Sequence, residues 1–374
     1  MIYFDNAATY HTDNADVLHL YVEANKKYFA NANSSHRLGY LVNQEVNKAR
    51  LSILKDLKLD NTYEVIFNSG ATEGINHALK GYALRNKTRG NEIIAFNNEH
   101  PAVKETLLTL SKLGFKIIYI SPSKNGEINY SEIKRAINKN TIMVVAMNVN
   151  NEVGSINDLN KIYEIIHPYP KCVFFSDVTQ GIGKIKTNYH LLDMFTFSAH
   201  KFGGLIGSGV LVKKKKILLE KFMDGGSQEN NMRGGTLAAP LAISTAFALH
   251  KTMNTLDVNL KHVNELKNCL IEGLKKNPEI ILNSNSEFPY IINFSLKSKK
   301  ASVVIEALSN KEIYVSSLSA CHEKSNTVSY VLLNMGLNQK LAENSIRVSF
   351  SDSNTISEVK TFLKELNTIL GAIR

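Results

Sequence analysis

The chain has 374 residues, of which 44% are hydrophobic and 21% charged, and its formal net charge is +10. That length exceeds one small core and predicts a large α/β domain with a smaller companion. No apolar run reaches the roughly 18 residues needed to cross a bilayer, and the start, MIYFDNAATYHTDN, carries neither a secretory signal nor an Arg-rich transit peptide. The cysteines Cys172, Cys269 and Cys321 are odd in number and far apart, so they make no disulfide framework, and without a Cys-x-x-Cys pair no metal site is expected. A reducing cytoplasm suits such a chain. The positive charge is scattered, with no aromatic-interleaved basic stripe, which points to an anionic small molecule and away from direct nucleic-acid binding. Its densest cluster, Lys213 to Lys216, reads as a solvated turn after an apolar strand.

From about residue 64 the pattern is regular. EVIFN (64–68) predicts a strand and ATEGINHALKGYAL a helix; EIIAF (92–96) a strand and PAVKETLLTLSKL a helix with Pro101 in its first turn. KIIYI (116–120) is followed by a helix near 130–138, TIMVVAM (141–147) by the helix DLNKIYEII, and CVFFS (172–176), MFTFS (194–198) and GVLV (209–212) are further strands. Short apolar strands alternating with helices imply a mostly parallel, doubly covered sheet. Beyond residue 237 come long helical patterns to 276, strands near 279–283 and 290–296, a helix near 301–309, strands at 312–315 and 345–350, and a final amphipathic helix over 355–370. The expected division is a large domain over 13–252 and a small α+β domain formed by 1–12 with 253–374.

Ligands of parallel sheets sit at the carboxyl ends of the strands, and those positions carry the chemistry. After the first strand, SGATEG places Ala71 and Thr72 at a helix N-terminus, an anion site or a plain cap. His100 follows the second, Asn150, Asn151 and Glu152 the fourth, Asp177, Thr179 and Gln180 the fifth, and Ser198, His200 and Lys201 the sixth. An ionised Asp ending an apolar strand is costly unless a cation faces it. Together these groups suit pyridoxal 5'-phosphate: a lysine for its aldehyde, an acid for its protonated pyridine nitrogen, and N–H and hydroxyl donors for its phosphate. Lys201 and Asp177 fill the first two roles. No Walker A sequence is present, and Gly204, Gly207 and Gly209 do not form a dinucleotide fingerprint.

The chain resembles the NifS/IscS-like cysteine desulfurases of the class V aminotransferase group, fold-type I pyridoxal phosphate enzymes. The matching stretches run in order from IYFDNAAT through NANSSHRLG (31–39), SGATEGIN (69–76), NNEHPAV (97–103), NVNNEVG (148–154), SDVTQGIGK (176–184), FSAHKFGG (197–204), MRGGTLA (232–238), SLSACH (317–322) and NSIRVSF (344–350). The resemblance implies that Lys201 is the Schiff-base lysine, Asp177 the partner of the pyridine nitrogen and Gln180 a hydrogen-bond partner of the phenolic oxygen. It implies phosphate ligands in Thr72, Ser198, His200 and the backbone of Ala71, with Thr236 reaching across from a second subunit of a homodimer. His100 would stack on the ring and help move protons, Asn151 and Arg347 would hold the substrate L-cysteine, and Cys321 would be the nucleophile that carries sulfur to an acceptor protein.

Three positions depart from the family pattern: Ser176 where His is common, Leu318 for Gly, and Asn231 for Gly. The tail beyond the last helix that docks an iron–sulfur scaffold in some relatives is not expected here. With the basic charge, this favours a tRNA-thiolating enzyme or a thiamine-pathway carrier as acceptor over an iron–sulfur scaffold. The competing readings are another reaction on the same scaffold, such as selenocysteine cleavage or transamination, which needs Lys201 but no cysteine, and a non-catalytic sulfur-transfer scaffold.

Overall fold

A computed structural model describes residues 1–284, 287–317 and 328–372. Strand β1 (Ile2–Tyr3) and helices α1 (Ala15–Lys27) and α2 (Arg37–Asp56) precede the alternating region. The two helices were not foreseen. Only Val17 and Ala24 of α1 are buried, so its apolar periodicity is faint; α2 begins at His36, whose side chain accepts from the Gly39 amide at 3.2 Å.

The alternation then runs β2 (Tyr63–Asn68), α3 (Ala71–Arg85), β3 (Glu92–Phe96), α4 (Pro101–Lys112), β4 (Lys116–Ile120), α5 (Tyr130–Ala136), β5 (Thr141–Val145), α6 (Leu159–Ile166), β6 (Val173–Asp177), β7 (Met194–Ser198) and β8 (Gly209–Lys214). A turn, α7 (Gln228–Asn231), leads into the long α8 (Ala239–Lys275). There follow β9 (Ile280–Leu282), β10 (Ile291–Leu296), α9 (Ala301–Ser309), β11 (Ile313–Tyr314), β12 (Ser316–Ser317), α10 (Tyr330–Asn334), α11 (Gln339–Glu343), β13 (Ser345–Ser349) and α12 (Ile356–Ala372).

The strands from β2 to β8 form one sheet in the order β2-β8-β7-β6-β5-β3-β4. Strands β4, β3, β5, β6 and β7 are mutually parallel, whereas β8 runs antiparallel to both β7 and β2. Every residue of β3, β5, β6 and β7 is buried, as helices on both faces require. This explains why these strands read as continuous apolar runs. A second, antiparallel sheet has the order β12-β13-β10-β9, and β1 pairs with β11 in parallel. Helix α8 serves both regions: Ala242, Ala246 and Leu249 pack into the core of the large sheet, while Val263, Leu266, Leu270 and Leu274 pack under the small one.

The lysine run departs from its expected solvated turn. Strand β8 continues through Lys214, so Lys213 points into the protein, is fully buried and pairs with Glu64 while donating to the Ile217 carbonyl at 2.8 Å. Lys214 bridges Asp193 at 2.9 Å, and only Lys215 and Lys216 are exposed. Pairing with β2 extends the strand past its apolar residues, because the half-buried Glu64 carboxylate balances the buried ammonium. Asn231 has φ +66°, in the left-handed region where Asn substitutes for Gly most easily.

Candidate active site

At the carboxyl ends of β5, β6 and β7 lies a cavity of about 280 Å³. It is lined by Ala71, Thr72, His100, Asn151, Asp177, Gln180, Ser198, His200, Lys201 and Arg347, together with Ala7, Ala8, Ile75, Met147, Val149 and Thr179. The structure thus brings most of the residues singled out in the sequence to one cavity. Thr236 is not among them: it sits in a separate cleft beside Ser69, Gly207 and Arg233. Cys321, with Leu318, lies outside the described residues.

One end of the cavity is made by the start of α3. Gly70, at φ +154° and ψ 173°, turns the chain sharply from β2 into the helix, in a region that only glycine enters cheaply. Gly209 lets that turn lie flat on β8, since a Cβ there would meet the Gly70 Cα at 2.5 Å. The Ala71 amide donates to Ser198 Oγ at 2.7 Å, and the N-cap residue, Gly70, offers no side chain of its own. The α3 N-terminus therefore presents positive dipole and amide donors to the cavity, flanked by the hydroxyls of Thr72 and Ser198. His200, beside them, holds Thr9 Oγ1 at 3.3 Å from Nδ1; burial, reinforced by the charges of Lys201 and Lys184, lowers its pKa to about 4.

In the middle stand Lys201 and Asp177. Lys201 Nζ donates to the carbonyls of Ala7 at 2.6 Å and Ala8 at 2.5 Å. The N-terminal segment thus orients the amine with neutral oxygens. Asp177 ends β6, is buried, and accepts from the Thr179 amide at 3.0 Å. His100 caps α4: its Nδ1 accepts from the Ala102 amide at 3.1 Å, so in the neutral ring Nε2 bears the hydrogen. Burial lowers the pKa of His100 against the opposing pull of Asp177. Gln180 donates from Nε2 to the Ala7 carbonyl at 3.0 Å.

The far end is cationic. Arg347, on β13 and only 3% exposed, donates from Nη1 to the Asn151 carbonyl at 2.8 Å and from Nη2 to Asp5 at 2.8 Å. Asp5 had no assigned role in the sequence, although an acid following the apolar IYF was its one visible signal. Lys184 was likewise passed over. It is buried against the rings of Tyr10 and Tyr290, with Nζ 4.9 and 5.7 Å from their centroids; burial, then the charge of Lys201, lowers its pKa to about 7.

These residues fit pyridoxal phosphate. The glycine-built helix end suits its phosphate, a buried acid and a lysine line the same cavity, and Thr179 Oγ1 and Gln180 Oε1 are buried polar atoms with no hydrogen-bond partner among the described residues.

The aminotransferase class-V family matches residues 2–362. The chain is 38% identical over 349 residues to "Cysteine desulfurase IscS" of Buchnera aphidicola subsp. Baizongia pistaciae (strain Bp), covering 92% of this chain and 85% of that one. It is 35% identical over 382 residues to "Cysteine desulfurase IscS" of Colwellia psychrerythraea (strain 34H / ATCC BAA-681), covering 100% and 93%. A solved structure described as a NifS-like protein superimposes with a TM-score of 0.92 at 32% identity, over the full length of both chains.

Proposed function

Because the chain belongs to the aminotransferase class-V family, we propose that it works as a pyridoxal-phosphate-dependent cysteine desulfurase, converting L-cysteine to L-alanine and passing the sulfur through Cys321 to an acceptor protein. The observation that carries this reading is the convergence of Lys201, Asp177, His100 and Arg347 on one cavity. Pyridoxal phosphate, when bound, supplies an electron sink for the charge left on the substrate's Cα. Lys201 is the residue to bind its aldehyde, Asp177 the acid for its ring nitrogen, and Ser198, Thr72, His200 and the start of α3 the ligands of its phosphate, with Gln180 at its phenolic oxygen. Thr236 contributes from the second subunit of a homodimer. The two apolar cores support a large domain over 13–252 and a small one from 1–12 with 253–374.

Arg347 presents a guanidinium fork to the substrate carboxylate, with Asn151 beside it. Lys201, already aimed by two carbonyls, takes the Cα proton, and His100, kept neutral by burial, relays protons through Nε2. Cys321 as thiolate attacks the substrate sulfur: the S–S bond forms as the Cβ–S bond breaks, and a proton delivered to Cβ, followed by return of the Cα proton from Lys201, completes alanine. Ser316, five positions before Cys321 in the sequence, is the cross-strand partner of Arg347.

For the acceptor, the net charge of +10 supports a partner with an acidic face. A tRNA-thiolating enzyme or a thiamine-pathway carrier is our reading, and an iron–sulfur scaffold the competitor. In the decisive experiment the protein is incubated with labelled cysteine, alanine release is measured, and each acceptor is then added. A Cys321→Ser protein that releases alanine at the wild-type rate would refute the desulfurase mechanism; transfer to the scaffold alone would refute the acceptor.

A further inference from the structure

Two pairs of neighbours, Glu99–His100 and Asn151–Glu152, share one design. In each, one residue lines the cavity and the other is a buried glutamate turned away from it. Both glutamates meet the same place, the start of α10. The Ser329 hydroxyl, which caps that helix by accepting from the Leu332 amide at 3.2 Å, donates to Glu152 Oε2. The Tyr330 hydroxyl donates to the Glu99 carbonyl at 2.5 Å, with the Lys104 ammonium 3.4 Å from the centre of its ring. The fastening spans 177 residues on one side and 231 on the other, so neither turn can acquire it from its own sequence.

We propose that Glu152, Ser329 and Tyr330 are positioning residues which lock the His100 and Asn151 turns to one helix end and so fix the spacing of the proton-moving and substrate-holding groups. This inference rests on the desulfurase reading for the identity of the substrate. The two contacts divide the work. Tyr330 holds the backbone one residue before His100. Glu152 holds the turn whose Asn151 carbonyl receives Arg347. Burial raises the Glu152 pKa to about 7, against the pull of Ser329, Arg347 and Lys104. The bond from Ser329 needs only an acceptor oxygen, which a glutamine carboxamide also provides.

The test uses the holoenzyme and two readouts: the Kd for L-alanine from the absorbance of the bound cofactor, and kcat with L-cysteine. Glu152→Ala and Ser329→Ala, which break one bond from opposite sides, are expected to weaken alanine binding about tenfold, the loss of one buried hydrogen bond to a carboxyl group. Tyr330→Phe is expected to lower kcat about threefold and change the Kd less than twofold. Glu152→Gln is expected to restore both values to within about twofold. An unchanged Kd in Glu152→Ala and Ser329→Ala would overturn the inference. So would equal changes in both readouts for every variant alongside a lowered thermal midpoint, the mark of a purely structural role. Should the wild-type protein bind alanine yet release none from cysteine, the desulfurase reading fails while the Kd comparison still decides the positioning role.

Discussion

The two ends of the cavity are built by opposite means. At the α3 end the determinants are mostly backbone: a glycine turn after β2, a second glycine on β8 that admits it, the amides that open α3, and one serine on β7, all set by a single sheet. At the Arg347 end they are two charged side chains 342 residues apart, Asp5 just after the first strand and Arg347 on the last, joined by the Asn151 carbonyl from the loop after β5. A backbone cradle tolerates loss of a side chain, since its donors remain. A charge cluster does not, since each member exists to compensate another.

The sharpest test of this contrast is Arg347→Ala, which removes the substrate's cationic anchor and leaves Asp5 without its partner. Loss of a charge-assisted pair of bonds predicts a KM for cysteine raised about a hundredfold, measured by steady-state alanine release. Ser198→Ala is expected to be milder. The Ala71 amide loses its acceptor, and cofactor affinity falls about tenfold in equilibrium dialysis of the apoprotein. A larger loss than that of Arg347→Ala would invert the comparison. Asp5→Asn keeps a hydrogen-bond acceptor but no charge, and is expected to raise KM about threefold.

The smallest effect is a pH dependence. Burial raises the Glu152 pKa to about 7, so the stability held by its neutral form is complete below the ordinary carboxyl range, near pH 4.5, and is lost as pH rises through 7. His77 and His200, lowered by burial to about 4, act in the opposite sense: their stability is lost as pH falls from about 6.5 toward 4. Denaturant titrations of Glu152→Gln against the wild type isolate the first contribution. Between pH 5 and 7 the wild type is expected to lose stability relative to the variant, with a constant difference above pH 7.5.

The same contrast explains what the sequence revealed. The buried strands β3, β5, β6 and β7 read as apolar runs, and residues directly after them, such as His100 and Lys201, inherit their place from the sheet. Lys213 was misplaced because strand pairing with Glu64, 149 positions away, overrides the local signal of four lysines. Asp5, Lys184 and Ser329 went unassigned for a related reason. Each acquires its role from partners that only tertiary folding supplies, and no spacing rule encodes a partner on another strand. Helix α1 escaped because Val17 and Ala24 are its only buried residues, whereas α2 carries a legible stripe in Val42, Val46, Ala49 and Ile53 that was passed over.

The N-terminal segment has a consequence in time. Ile2 and Phe4 donate backbone hydrogen bonds to Glu312 and Tyr314, and Ser349 donates to Phe4 at 2.7 Å, so residues 2–6 are held between β11 and β13. The carbonyls of Ala7 and Ala8 that aim Lys201 hang from this segment. Synthesis makes these residues before their partners. A nascent chain that has completed the seven-stranded sheet, through Lys214, can therefore tie Ala7 to Gln180 and Tyr10 to His200, but does not yet contain the Arg347 that Asp5 binds. The Arg347 end of the cavity is thus completed after the α3 end, when β13 pairs with residues 2–6.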